Sequence, residues 1–368
     1  MRTLARNHLA LGLFGSNLSG GLAASRFPER WDASWDNNLA LARMADEAGL
    51  EFMLPVGRWK GYGGVTNHNG SGMETITWAT GLLAATKRLT CFGTVHVTAF
   101  NPVVAAKQCV TADHIGHGRF GLNIVCGWYQ DEFDMLGVDL GTHDDRYTLG
   151  QEWVDIVTRA WTLPGPFDYP GRFFKVKGTV IEPKPYGGTR PLLVSAATSG
   201  EGKFFAAKNA DMLFTAIRGD LADVPRDVAA LKDAARGYGR EIEVFTNCYV
   251  VCRPTQKEAE EYHHWYAVEM ADEAAIDTIT VGRGVVRAGI SEQARQAFRT
   301  RTGGGNGAWG IIGDPDSVAA QIAELNGFGL SALALSFANY LDHLPYFRDE
   351  LLPRLERMGL RAPVRAVV

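Results

Sequence analysis

Residues 89–126 read LTCFGTVHVTAFNPVVAAKQCVTADHIGHGRFGLNIVC and contain one complete strand–helix–strand unit. Residues 89–97 and 120–126 are short apolar runs rich in β-branched and aromatic side chains, which is typical of buried strands. Between them, residues 103–115 carry a helical pattern that Gly118 ends. Two buried strands connected by a helix normally lie parallel, so this stretch predicts a parallel sheet covered by helices.

The same alternation continues along the chain. Eight short strands are predicted, at residues 9–15, 51–55, 89–97, 120–126, 192–197, 212–215, 244–251 and 332–337. Helices are predicted between them, at residues 35–48, 75–85, 103–115, 148–161, 202–208, 224–238 and 315–325. Eight strand–helix units predict an α/β fold of the (β/α)8 type, the TIM barrel, which typically takes about 250 residues.

The chain has 368 residues, more than such a barrel needs, and no linker of distinct composition divides it. We therefore predict a single domain over residues 1–368, with insertions near residues 139–195 and 255–313. The first insertion is expected to contain a small hairpin. The second contains the glycine-rich run at residues 302–307, which we expect to be a mobile loop that closes the pocket.

Charge and composition exclude several classes of protein. The 37 Lys and Arg residues against 41 Asp and Glu give a net charge of −4, so no basic surface for nucleic acid or an anionic membrane is expected. No apolar run approaches the ~18 residues of a membrane span. The five cysteines form an odd, scattered set without metal-ligand spacing, which favours a reducing cytoplasm and argues against a metal site.

In a TIM barrel the active site lies at the carboxyl ends of the strands. Asn123 interrupts an otherwise apolar strand near this end, so its amide either contacts a ligand or satisfies a neighbouring backbone group. Residues 195–202, SAATSGEG, form a strand, a small-residue turn and a helix start. Backbone N–H groups at such a turn can bind phosphate. An ordinary strand–helix turn is the alternative, since the spacing matches neither common nucleotide-binding loop.

The residues alone do not identify a reaction. His114 and His117 lie at a glycine-rich helix end, where a turn explains them better than a metal site does. His143 precedes a helix that Asp144 or Asp145 could cap. Without a nucleophile motif or metal spacing, an organic cofactor is the favoured source of chemistry.

Residues 118–128, GRFGLNIVCGW, resemble a segment of the bacterial luciferase-like flavin-dependent monooxygenases. Residues 17–21, NLSGG, and 143–147, HDDRY, resemble the dimethylsulfone monooxygenase branch, and residues 61–63, GYG, resemble both that branch and the pyrimidine monooxygenase branch. The resemblance extends over about residues 9–355. It implies a two-component monooxygenase that uses O2 and reduced FMN (FMNH2) supplied by a separate NAD(P)H:FMN reductase.

The resemblance also implies roles for individual residues. The catalytic residues, where oxygen reacts, are expected to be Thr94 and Asn123. The residues that bind the flavin are expected to be Val56, Gly57, Thr94, Asn123, Trp128, Glu132, His143, Tyr147, Ser199 and Gly200. The residues that contact the substrate are expected to be Arg58, Trp59, His68 and His96. Arg58 would polarise a sulfonyl or carbonyl oxygen, and a surface ion pair is the alternative for it.

The substrate implied by the resemblance is a small organosulfur compound, a sulfone or sulfonate, with possible C–S cleavage. Pro55 and Trp59 depart from the sulfone branch, so a pyrimidine-like or other heterocycle is an alternative substrate. An F420-dependent oxidoreductase and a non-catalytic flavin-binding protein are two further alternatives on the same fold. The partners expected are a small molecule and the reductase, and the assembly expected is a homodimer or homotetramer.

Overall fold

Eight parallel strands close into a barrel in the computed structural model, which describes residues 4, 7–197, 199–285 and 290–364. The strands of the described chain are β1 (Ala10–Phe14), β2 (Phe52–Leu54), β3 (Thr90–His96), β4 (Phe120–Val125), β5 (Phe167–Pro170), β6 (Lys175–Thr179), β7 (Leu192–Ala196), β8 (Met212–Thr215), β9 (Glu243–Cys252), β10 (Trp309–Gly313) and β11 (Ala332–Ser336). The barrel excludes β5, β6 and β10. All eight predicted barrel strands are confirmed.

Helices follow most of these strands and cover the outside of the barrel. They are α1 (Trp35–Glu47), α2 (Thr75–Ala85), α3 (Pro102–Ile115), α4 (Gln130–Leu136), α5 (His143–Thr162), α6 (Gly200–Asn209), α7 (Val224–Arg236), α8 (Gln256–His264), α9 (Glu273–Gly282), α10 (Glu292–Gly305), α11 (Pro315–Gly327), α12 (Tyr340–Tyr346) and α13 (Leu352–Arg357). The seven helices predicted from periodicity are all present, with shifted ends for most of them.

Strand β9 closes the barrel. Its Phe245 lies opposite Phe214 of β8 on one side and Ala332 of β11 on the other. The order around the barrel is β9–β11–β1–β2–β3–β4–β7–β8. Because β9 is twice as long as most of its neighbours, its second half extends beyond the barrel and pairs there with β10.

Aromatic rings fill the amino-terminal half of the barrel. The Phe52 ring meets Phe92 and Phe245 edge-on, with ring centroids 6.1 and 6.0 Å apart. Two glycines make room for these rings: a Cβ on Gly12 would lie 2.4 Å from the Phe52 ring, and a Cβ on Gly121 would lie 2.2 Å from the Phe92 ring. Since one half of the barrel is filled in this way, the space for a ligand is left at the carboxyl ends of the strands.

Most of each segment predicted as an insertion lies outside the barrel strands, although the first overlaps β7 at residues 192–195. Strands β5 and β6 form an antiparallel hairpin within the first one, as expected. The second forms α8, α9, α10 and β10.

The expectation of a mobile loop at residues 302–307 is wrong. Residues 302–305 form the buried last turn of α10, and Asn306 caps it in a left-handed conformation with φ of 54°. The glycines serve close packing: a Cβ on Gly303 would lie 2.2 Å from the Ala267 carbonyl oxygen, and one on Gly305 would lie 2.6 Å from the Tyr249 ring.

Candidate active site

A cavity of about 410 Å³ opens at the carboxyl ends of the barrel strands. Nine of the residues predicted for the site line it: Val56, Gly57, Arg58, Thr94, His96, Asn123, Trp128, Tyr147 and Ser199. The lining of the cavity does not include four others, which are Trp59, His68, Glu132 and Gly200. His143 is the first residue of α5, and its side chain lies outside the described part of the structure.

Thr94 and Asn123 form a hydrogen-bonded pair on the floor of the cavity. They lie opposite each other on β3 and β4. The Asn123 amide nitrogen donates to Thr94 Oγ1 at 3.2 Å, and Thr94 Oγ1 donates to the Pro55 carbonyl at 2.7 Å. The Asn123 amide oxygen is buried and has no hydrogen-bond partner among the described residues. Such an unpaired group costs about 1–3 kcal/mol, so Asn123 offers an acceptor to a ligand in the cavity.

The backbone beside this pair is fixed by Asn17, which was not predicted to have a role in the site. Its Oδ1 accepts from the Val56 N–H and its Nδ2 donates to the Val56 carbonyl, each at 2.9 Å. The next residue is tightly packed, because a Cβ on Gly57 would lie 3.1 Å from the Thr94 methyl group. Residues 17–21 were noted in the sequence, but nothing in it shows that the Asn17 side chain reaches across to β2.

The part of the cavity that follows β7, the neighbour of β4, offers a binding site for an anion. Ser199 caps α6, where its Oγ accepts from the Gly202 N–H at 3.2 Å and lies 3.0 Å from the Tyr147 hydroxyl. Burial raises the pKa of Tyr147, so its hydroxyl stays protonated. The space above Gly200 is open, with no atom within 4 Å of the position that a Cβ would take. The N–H groups of a helix N-terminus favour a phosphate in such a space.

Arg58 is held by a buried ion pair. Its Nη1 lies 3.1 Å from Glu132 Oε2, and the exposed fractions of the two side chains are 4% and 1%. Glu132 also accepts from the backbone N–H groups of Trp59 and Lys60. Its carboxylate therefore lies behind Arg58 and fixes the chain after β2. The alternative of a surface ion pair for Arg58 is wrong, since the pair is buried.

Aromatic rings surround the Arg58 guanidinium. Its central carbon lies 4.8 Å from the centroid of the Tyr62 ring and 5.4 Å from that of the Trp128 ring. Such cation–π contacts stabilise a guanidinium and fix its plane. Trp128 thus contacts Arg58 on one side and lines the cavity on the other.

The predicted histidines differ in their access to the cavity. His96 lines it, and burial together with the nearby Arg58 charge lowers the pKa of His96 to about 3, so its ring is neutral. Its Nδ1 is buried and has no hydrogen-bond partner among the described residues. His68 is stacked on Tyr62 away from the lining, with centroids 6.1 Å apart. Trp59 lies at the surface against Phe100.

Three arginines that sequence reasoning missed also line the cavity. Arg146 precedes Tyr147 on α5, Arg218 follows β8, and Arg283 follows α9 in the second insertion. Arg146 donates to the Gly127 carbonyl at 3.2 Å. Arg146 could have been found from its position in the HDDRY segment. Nothing in the sequence places Arg283 near the barrel opening.

Two further features are absent from the described residues. No cluster of three or more His, Cys, Asp or Glu side chains there is placed to hold a metal ion. None of the helices in this part of the chain combines the length and apolar character that a membrane crossing requires.

Comparison with known proteins identifies the family. Residues 13–332 match the family described as luciferase-like monooxygenase. The chain belongs to this family. It is 30% identical to an FMNH2-dependent dimethylsulfone monooxygenase of Pseudomonas fluorescens over 94% of each chain. It is 26% identical to a pyrimidine monooxygenase of Enterobacter over 98% of this chain and all of that protein. A riboflavin lyase structure has the same fold, with 20% identity, a TM-score of 0.86 and coverage of 98% and 94%.

The predicted family and TIM-barrel fold are thus confirmed. The residues that line the cavity also fit a flavin mononucleotide. One end has a helix N-terminus, two hydroxyl groups and Arg146 for a phosphate. The other end has the unpaired Asn123 amide oxygen, an acceptor for a ring N–H.

Proposed function

We propose that this flavin-dependent monooxygenase binds FMNH2 and oxygenates a small organosulfur compound, a sulfone or sulfonate. Reduced FMN supplies the electrons that activate O2. In the overall reaction, FMNH2, O2 and the substrate yield FMN, water and the oxygenated product. Where the oxygenated carbon carries the sulfonyl group, cleavage of the C–S bond then gives an aldehyde and a sulfinate or sulfite.

The observation that carries this proposal is the Thr94–Asn123 pair, placed in one cavity with the helix N-terminus at Ser199. The cavity can hold the isoalloxazine ring near Val56 and Gly57 and the phosphate near Ser199 and Tyr147. Asn123 would bind the reacting edge of the ring. Thr94, whose proton is donated to the Pro55 carbonyl, would hold the Asn123 amide in place.

Exclusion of water is the second requirement of such a site. An oxygen-activating site must be closed to solvent, because in contact with water the activated oxygen is released as hydrogen peroxide before it reacts with the substrate. The rings of Tyr62, Trp128 and Tyr129 cover Arg58 on this side of the opening. His96 is neutral and buried, so it offers a hydrogen bond without supplying a proton readily.

Two features support the organosulfur class. The dimethylsulfone monooxygenase matches the chain over nearly its whole length. Arg58 also presents fixed N–H groups at the cavity, and such groups bind the oxygens of a sulfonyl group well. The pyrimidine monooxygenases, which match at slightly lower identity, keep a heterocycle as the second candidate substrate.

The test is turnover with a separate FMN reductase, NADH and isotopically labelled O2. We expect one class among sulfones, sulfonates and pyrimidines to acquire a single labelled oxygen, detected by mass spectrometry, with less hydrogen peroxide released than in its absence. The proposal fails if every class leaves peroxide release unchanged and no product carries label. Hydride exchange with reduced F420 under anaerobic conditions would instead assign the chain to the F420-dependent alternative.

A further inference from the structure

All four charged side chains that line the cavity are arginines. They are Arg58, Arg146, Arg218 and Arg283, and the lining within the described residues contains no Asp or Glu. Positive charge that converges on a pocket raises the local concentration of anions there. A flavin phosphate accounts for part of this charge, at the end where Arg146 adjoins Tyr147 and Ser199.

Two of the other arginines, Arg58 and Arg283, differ in whether an acidic group neutralises their charge. Arg58 has Glu132 as its partner at 3.1 Å. Arg283 is held instead by neutral groups: Nη1 donates to the Asn306 carbonyl at 2.8 Å and Nη2 to the Asn306 side-chain oxygen at 3.0 Å. Burial lowers the pKa of Arg283, and the charges of Arg58 and Arg218 lower it further, while the neighbouring Tyr62 opposes the shift.

Arg283 has donors available for a ligand. A guanidinium carries five N–H groups, and Asn306 accepts from two of them. The guanidinium lies over the Trp128 ring, 5.8 Å from its centroid, and Arg58 contacts the same ring at 5.4 Å. The two cations thus flank one aromatic ring that lines the cavity. A fixed, planar guanidinium held by neutral acceptors is suited to a bidentate bond with an oxyanion.

We infer that Arg283 is the anchor of a substrate-binding subsite, and that the substrate is an organic anion with a sulfonate or carboxylate group. This inference rests on the proposed function and narrows it. The anionic group would lie against Arg283 and Trp128, and the carbon to be oxygenated would extend toward Asn123. A neutral sulfone or pyrimidine would leave the Arg283 charge without a counter-ion.

The test compares the binding of isosteric pairs that differ in charge. The probes are methanesulfonate against dimethylsulfone, ethanesulfonate against ethyl methyl sulfone, and benzenesulfonate against phenyl methyl sulfone. Each is titrated by calorimetry into the protein loaded with oxidised FMN and into flavin-free protein, so no turnover is needed. We expect at least one sulfonate to bind tenfold or more tightly than its sulfone. We also expect this preference to shrink as NaCl is raised.

Variants identify the residue responsible. Arg283→Gln should reduce the preference to threefold or less, with the FMN dissociation constant changed less than twofold. Arg283→Lys, which keeps the charge, should retain part of the preference. Arg236→Gln is the matched control, because Arg236 is exposed and paired with Asp233 on α7, away from the cavity, and it should leave the preference unchanged.

Three results would overturn the inference. If the sulfones bind as tightly as the sulfonates, the inference that the substrate is an anion is refuted. If Arg283→Gln still prefers sulfonates to sulfones, Arg283 is not the anchor of the subsite. A tenfold loss of FMN affinity in Arg283→Gln would assign the residue to the flavin phosphate. If Arg283→Gln does not fold, as judged by circular dichroism, a preference unaffected by both Arg283→Lys and NaCl is the contradicting result. Failure to bind FMN at all would refute the proposed function, while the flavin-free titration still tests Arg283.

Discussion

Two neighbouring acidic residues on α4 should differ sharply in their contribution to stability. Glu132 pairs with Arg58 and Asp131 pairs with Lys60, at 3.1 and 3.2 Å. The geometry of the two ion pairs is similar and their burial is not. Glu132→Gln removes one charge and leaves Arg58 buried without a counter-ion. Asp131→Asn removes a charge from a pair that water already screens.

The magnitudes follow from burial. The exposed fractions are 4% and 1% for Arg58 and Glu132, against 46% and 56% for Lys60 and Asp131. Removing one partner of a buried pair costs about 3–5 kcal/mol, and an exposed pair contributes about 0–1 kcal/mol. With an unfolding entropy of about 2 cal/mol/K per residue, the buried loss corresponds to a fall in Tm of about 4–7 °C.

The assay is urea unfolding followed by circular dichroism, supported by thermal melts. Glu132→Gln should lower the free energy of unfolding by about 3 kcal/mol or more, and Asp131→Asn by less than about 1 kcal/mol. The double variant Arg58→Met with Glu132→Gln should recover most of the loss, because no unpaired charge remains. Equal effects of the two single variants would refute the reasoning. So would a double variant no more stable than Glu132→Gln.

Three shorter predictions concern the cavity and the pH dependence of stability. Asn123→Ala should keep FMN binding within about threefold but release more hydrogen peroxide per NADH, since it removes the acceptor beside the flavin; unchanged coupling in a peroxide assay would contradict this. Ser199→Ala should weaken FMN binding by about 1–2 kcal/mol, measured by flavin fluorescence, because Ser199 caps the helix that faces the phosphate; unaltered affinity would exclude that role. Burial lowers the pKa of His68 to about 3, so below about pH 6.5 the unfolded chain binds a proton that the native state does not. The free energy of unfolding should therefore decrease as the pH is lowered in this range. In urea titrations, His68→Gln should make this pH dependence less steep by about 1.4 kcal/mol per pH unit.

The barrel was predictable because its signals are local. Residues 89–126 contain two apolar strands and a helix whose Asn101 cap and Gly116 end lie within the same stretch. Periodicity found the strands without any knowledge of their neighbours. The helices that periodicity missed include α8, α9 and α10 of the second insertion, whose buried residues pack partly on distant segments such as Phe27 and Tyr62.

The glycine run at residues 302–305 was misjudged for a related reason. Glycine in a sequence usually indicates a turn, since it weakens a helix by about 1 kcal/mol relative to alanine. Here tertiary contact outweighs that cost, because the Tyr249 ring and the Ala267 carbonyl occupy the space that side chains would need. Such a contact joins residues more than 30 positions apart and leaves no local signature in the sequence.

In the candidate site, too, some features could be predicted from the sequence and others depend on contacts between distant residues. Thr94 and Asn123 end adjacent strands, so the topology alone brings them together, and the resemblance to the family supplied their roles. The charge of the cavity could not be obtained in this way. Arg283 reaches the opening from an insertion, and its meaning depends on what surrounds it: Asn306 as a neutral anchor and no described acidic residue in the lining. An arginine in a sequence is usually a solvated or paired cation. Only the three-dimensional arrangement shows one that Asn306 holds through two hydrogen bonds, near the like charges of Arg58 and Arg218, in the lining of a ligand-sized cavity. The proposal of an anionic substrate anchored by Arg283 therefore rests on the structure.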